Sequence, residues 1–197
     1  MASAKLPPIL LAVLATLPAI VLSPPAVGQD QTQYGDLALR VVGMLEDEHF
    51  LRQKFDDEMS AKTLASYLES LDYSRVYFTK EDIEGFETKY LSQIDDQVRK
   101  GGIPAAYEIF AVYEERIRDR VEMAKKLAVP GAFTYDSDRS VEISRKKSDW
   151  AKAGAEHDQL WRNLIEGDLI REKLIAEALE KKKAKEAGKA AKSGEAP

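Results

Sequence analysis

The chain has 197 residues, 44% hydrophobic and 32% charged, which fits one globular domain with tails. It contains no cysteine, which excludes disulfides, thiolate metal sites and a thiol nucleophile. A net charge of −5, with Lys and Arg interleaved among the acids, suits solvated helix faces and is a poor match for the phosphate backbone of nucleic acid.

Residues 1–28 read as a cleavable signal peptide. Lys5 opens it, the apolar run Ile9 to Leu22 follows, and Ser23-Pro24-Pro25 breaks any helix. Ala26-Val27-Gly28 places small residues before a cut at Gln29. The run is interrupted by Pro18 and falls short of the ~20 residues needed to span hydrocarbon. The expected product is periplasmic or secreted, with no membrane span after cleavage. The remainder then holds 28 basic and 34 acidic residues. A body of about 140 residues is long enough to bury a core.

Within that body the apolar residues recur at helical spacing, so the expected fold is all-α, with about five helices packed antiparallel and one long irregular loop. The first helix is expected from about Asp36 to Arg52, with Leu37, Val41, Met44 and Leu45 on its stripe. Ser60 is the expected N-cap of a second helix carrying Leu64, Tyr67, Leu68 and Leu71, ended by Asp72-Tyr73-Ser74. Val76-Tyr77-Phe78 forms a short link. Thr79 caps a third helix, with Glu81 and Asp82 in its first turn, running through Ile83, Phe86, Tyr90, Ile94 and Val98 to Gly101-Gly102. Pro104 opens a fourth helix whose stripe is Ile103, Tyr107, Phe110, Ile117, Val121 and Ala124, with Tyr113 off the stripe and exposed. Val129-Pro130-Gly131 stops it. Residues 131–149 read as an irregular loop. A fifth helix is expected from about Glu156 to Lys181, and residues 182–197, rich in Lys and Ala, as a frayed helix end and disordered tail. The domain proper is thus 29–181.

Several fragments of known chemical patterns occur in the chain. Ser144-Arg145-Lys146-Lys147 has the S-x-x-K spacing that can activate a serine, but it sits in a charged stretch that would not depress the lysine. Glu46 and His49 form E-x-x-H, the half-site of a di-iron bundle, yet the second histidine, His157, has Gly154 in place of the acid. Asp136-Ser137-Asp138 begins like a calcium loop, but Val141 stands where glycine is needed and Lys147 where glutamate is needed. No cofactor is expected. The aromatics Tyr107, Phe110 and Tyr113 read as core before groove.

The segment from Leu45 to Phe86 carries His49-Phe50, Asp56-Asp57, Ser60 with Tyr67-Leu68, then Leu71-Asp72, Arg75, Tyr77-Phe78, Asp82-Ile83 and Phe86. Trp150, Leu160-Trp161-Arg162 and Asp168-Leu169 follow. In order and spacing these resemble the N-terminal helical domain of tail-specific proteases, the carboxy-terminal processing peptidases. The resemblance covers about 37–175 and is dense over 45–86. It implies a non-catalytic frame domain, a scaffold or a module that binds substrate or an adaptor. In such enzymes a PDZ domain and a protease domain with a serine/lysine pair follow, so no catalytic residue carries over and the chain is not expected to be an enzyme by itself. The implied partners are a separate protease/PDZ chain, unfolded proteins or a periplasmic adaptor. Read from the residues alone, the L-D-x-x-R-x-Y-F link is a packed helix-helix corner with Tyr77 and Phe78 as plugs. An exported helical interaction protein unrelated to proteolysis is the alternative, and an autonomous metal-dependent or hydrolytic enzyme is a third.

Overall fold

A computed structural model describes residues 31–129, 131–135 and 145–193. The leader 1–28, the calcium-like Asp136-Ser137-Asp138 and Ser144 of the S-x-x-K pattern lie outside the described residues. Every regular element among the described residues is helical: α1 (Gln31–Asp47), α2 (Asp57–Leu71), α3 (Lys80–Tyr90), α4 (Ile94–Arg99), α5 (Pro104–Leu127) and α6 (Ala155–Ser193). Six helices stand where about five were expected, because the long third helix is two.

The break between α3 and α4 has a specific cause. In a continuous helix the Asp95 N–H would bond to the Leu91 carbonyl. Here it donates to the Ser60 hydroxyl (2.9 Å), and that hydroxyl in turn donates to the Asp95 carboxylate (2.8 Å). Ser60 is therefore not the cap of its own helix. It is fully buried inside α2 and caps the first turn of α4 from across the interface. The N-cap of α2 is Asp56, whose carboxylate accepts the Met59 N–H. Thr79 does cap α3, in a reciprocal box with Asp82. Pro104 opens α5, where the Gln97 side chain accepts the Ala105 N–H.

Two apolar clusters join at Ile94. The larger one gathers Leu64 and Leu68 of α2, Phe78 of the link, Ile83, Phe86 and Tyr90 of α3, and Ala105 and Ile109 of α5. The smaller one holds Val42, Phe55 and Val98, with Ala38, Met59 and Ile103 against it. Polar ties reinforce the layers: Tyr67 donates to the Ala106 carbonyl, Arg99 bridges Glu46 and the Phe55 carbonyl, and Glu108 engages both Lys89 and the Tyr90 hydroxyl.

One helix presents another face than its stripe predicts, and a second does so in part. On α1 the buried side is Gly35, Ala38 and Val42, while Leu37, Val41 and Met44 are exposed. The cause is close backbone approach, because a Cβ on Gly35 would stand 1.9 Å from the Gly101 carbonyl oxygen. That contact selects the flank of α1 that docks. On α5 the buried positions are Ala105 and Ile109, with Val112 and Tyr113 packed on the core, while Phe110 and Val121 are exposed. Tyr113, expected outside, is drawn inward by the rings of Tyr77 and Phe78.

The last helix begins at Ala155, after Gly154 at φ +81°, and continues past Lys181 to Ser193. Its first turns pack on α5. From Arg171 to Lys189 every residue but Ala176 is exposed, so the start of the stretch expected as a frayed end and tail is helix that stands clear of the body.

Candidate functional site

The link between α2 and α3 is built around Asp72. This residue ends α2, its N–H bonding to the Leu68 carbonyl. The chain then turns through Arg75, which sits in the left-handed region at φ +52° and donates its N–H to the Asp72 carbonyl. That turn aims three successive N–H groups back at the Asp72 carboxylate: Val76 at 2.9 Å, Tyr77 at 3.1 Å and Phe78 at 3.0 Å. The Trp150 indole N–H supplies a fourth bond at 3.1 Å. Asp72 is only 2% exposed, so these four donors replace its lost hydration.

Each neighbour in the motif has a defined partner. The Arg75 guanidinium lies 4.4 Å from the centre of the Trp150 ring and donates to the Ser148 carbonyl at 2.7 Å. Tyr77 packs against Tyr113 and Trp161, both at 5.4 Å between ring centres. Phe78 is completely buried between Phe86 and Tyr113. The Val76 carbonyl accepts from Trp161 Nε1 (2.6 Å) and pairs with His157 Nε2 (2.7 Å). Asp82 receives a two-pronged bond from Arg116 at 2.7 and 2.8 Å. Burial pushes the Asp82 carboxyl up, but Arg116 and the Thr79 N–H outweigh it and hold the group below the usual carboxylate range. The segment after Trp150 is clipped to the start of α3, with Lys80 N–H on the Ala151 carbonyl and Ala153 N–H on Glu81.

Of the residues singled out from sequence, Leu71, Asp72, Arg75, Tyr77, Phe78, Asp82, Phe86, Trp150 and Trp161 converge on this one junction. Ser60 serves the neighbouring α2–α4 contact. His49 and Phe50 stand apart on the exposed turn after α1. Sequence reasoning missed His157 and Arg116. His157 is 2% exposed, and burial lowers its pKa below the ordinary histidine value. Its only sequence signal was a position four residues before Trp161 on the same helix.

The geometry defines a keystone. Its carboxylates face backbone N–H groups, an indole or a guanidinium, and its rings fill the interior. The E-x-x-H pattern is divided in the same way. Glu46 accepts from Arg99 (2.8 Å) and the Phe55 N–H (2.7 Å), and these two bonds lower its pKa, while His49 faces solvent. No group of three metal-ligating acids or histidines occurs among the described residues. Lys147 is exposed, and Lys146 lies over the Tyr73 ring. No helix among the described residues is long and apolar enough to cross a membrane.

Fold and junction thus define a helical domain whose marked residues hold elements together. Residues 41–195 match the family of tail-specific protease N-terminal domains, and the chain belongs to that family. It is 29% identical over 135 residues to the tail-specific protease of Haemophilus influenzae, a match covering 68% of this chain and 19% of that protein. The chain therefore spans about a fifth of the length of that relative.

Proposed function

We propose that the chain works as the non-catalytic N-terminal helical domain of a periplasmic tail-specific serine protease, serving as scaffold or as a module that binds substrate or an adaptor. The family match over 41–195 carries this reading. The keystone supports it, since the motif residues are engaged in holding α2, α3, α5 and α6 in register. The leader-like pattern of residues 1–28 supports export, and N-terminal sequencing of the accumulated protein is expected to begin at Gln29.

The test mixes the purified chain with a polypeptide carrying the PDZ and serine/lysine protease portions of such an enzyme from the same organism. Calorimetry is expected to show association with a dissociation constant of about 10 μM or tighter, and cleavage of a protein with an apolar C-terminus is expected to rise. No association at about 100 μM, with cleavage unchanged, overturns the reading.

A second reading, an exported helical interaction protein with no tie to proteolysis, draws on the distal half of α6. There Leu174, Ile175 and Leu179 are exposed beyond the packed body. Capture of a non-protease partner through that stretch, together with indifference to the protease polypeptide, would favour it.

A further inference from the structure

The outer flank of α1 carries Tyr34, Leu37, Val41 and Met44, spaced three, four and three residues apart, and Leu45 borders them. All five are exposed, between 37% and 58%. A 3–4–3 apolar spacing is the pattern of a helix seam that packs against another helix. The core-facing side of α1 is a different flank, occupied by Gly35, Ala38 and Val42. The seam is thus left open by the described residues of this domain.

From this geometry we infer that the α1 seam docks against the same seam of a second copy of this chain, with the two helices antiparallel. Charge selects both the direction and the register. With Val41 opposite Met44 of the second copy, the flanking Arg40 faces Asp47 of that copy, and the symmetry repeats the pair. Both side chains are exposed and so are available for it. Sliding the helices by one heptad would set Arg40 against Arg40. A parallel arrangement would put Glu48, one residue past the end of α1, against Glu48 of the second copy and leave Arg40 facing Leu45, whereas the antiparallel one sets each Glu48 beside Leu37 with no like charge opposite. Like charges so placed are repulsive, so the antiparallel register is the one that remains.

The same register accounts for an exposure that the fold leaves unexplained. Tyr34 lies at one end of the seam, and antiparallel docking carries it to the turn that follows α1 in the second copy. That turn presents Phe50, 94% exposed, and Leu51, 66% exposed. The symmetric contact therefore covers both ends of the seam with apolar side chains. Asp36, Asp47 and Glu48 border the flank and suit an anionic lipid surface poorly.

A seam of about two heptads is a small interface, so the association is expected in the micromolar range. Sedimentation velocity on the purified full chain, from about 1 to 200 μM, is expected to show a reversible monomer–dimer equilibrium. Arg40→Asp and Asp47→Arg are each expected to weaken it about tenfold or more, and the double exchange to restore it to within about threefold of the native chain. Val41→Glu is expected to abolish it. Since these side chains are exposed, the urea midpoint should stay in place, which separates lost docking from lost folding. A monomer throughout the range overturns the proposal, as do single exchanges without effect or a double exchange that fails to restore the dimer. Binding of another polypeptide to α1 by a chain that remains monomeric overturns it too. The proposal stands apart from the proteolytic reading, because neither experiment uses the other's partner.

Discussion

Removing the Asp72 carboxylate leaves three backbone N–H groups and the Trp150 indole N–H facing a buried space without an acceptor. Asp72→Ala is therefore expected to lower unfolding free energy by about 3–5 kcal/mol, measured by urea denaturation. Asp72→Asn keeps an acceptor but brings two donors of its own into a ring of donors, so it should lose much of the same stability. Trp150→Phe removes one of the four donors and is expected to cost about 1–2 kcal/mol. A second effect at this scale belongs to His157. Burial lowers its pKa, the pairing with the Val76 carbonyl works against that, and Arg120 and Arg116 add to the lowering while Asp158 opposes it. The folded chain then binds a proton less readily than the unfolded chain. The stability tied to neutral His157 is present above the unfolded value of about 6.5 and is lost as pH falls below it toward the folded pKa. The urea midpoint is expected to drop as pH goes from 7 to 5, and His157→Gln should flatten that slope. An unchanged slope in the variant would sink the assignment.

Elements meet here through small residues and borrowed caps. Gly35 lets the α1 backbone reach Gly101, and any side chain would collide with a carbonyl, which cannot move as a flexible side chain can. Gly35→Ala is expected to cost about 1–3 kcal/mol by overpacking, despite the better helix propensity of alanine. The loss should show as faster amide exchange in α1 while α3 and α5 keep their protection. Thr79, Asp82, Pro104 and the Asp72 helix end were legible because each signal is local, within a turn of chain. Ser60 was not. Its small hydroxyl looks like a cap for the residues that follow it, yet its partner, Asp95, lies far along the sequence on another helix. The same limit merged α3 with α4, since the apolar spacing through Tyr90 and Ile94 runs on across a break at which Ser60, from another helix, takes the Asp95 N–H. Periodicity identifies an amphipathic helix, but a helix with two apolar flanks does not say which one is inside: α1 buries another flank than its stripe, and α5 buries Ala105 and Ile109 most deeply while Tyr107 and Ile117 of its stripe are half-buried.

For the whole molecule, the distal part of α6 tests how far the cooperative unit extends. Its side chains from Arg171 to Lys189 are almost all exposed, and isolated helical stretches of this length are marginal in water. Deleting residues 177–197 is expected to leave the urea midpoint unchanged while reducing far-UV helicity. A large fall in the midpoint would mean that the extension packs on the body. The sequence by itself determined the helical class, most helix ends and the family, because these rest on local periodicity, capping chemistry and the ordered motif from His49 to Phe86. Tertiary structure alone decided which partners the residues of that motif meet. The four donors on Asp72, the Arg75–Trp150 stack and the Arg116–Asp82 pair join residues up to 78 positions apart. Contacts so distant along the chain depend on where whole helices lie, and no local pattern encodes that. Packing likewise decided which apolar flank of α1 was left over, since Gly35 docks one side and leaves the other facing outward.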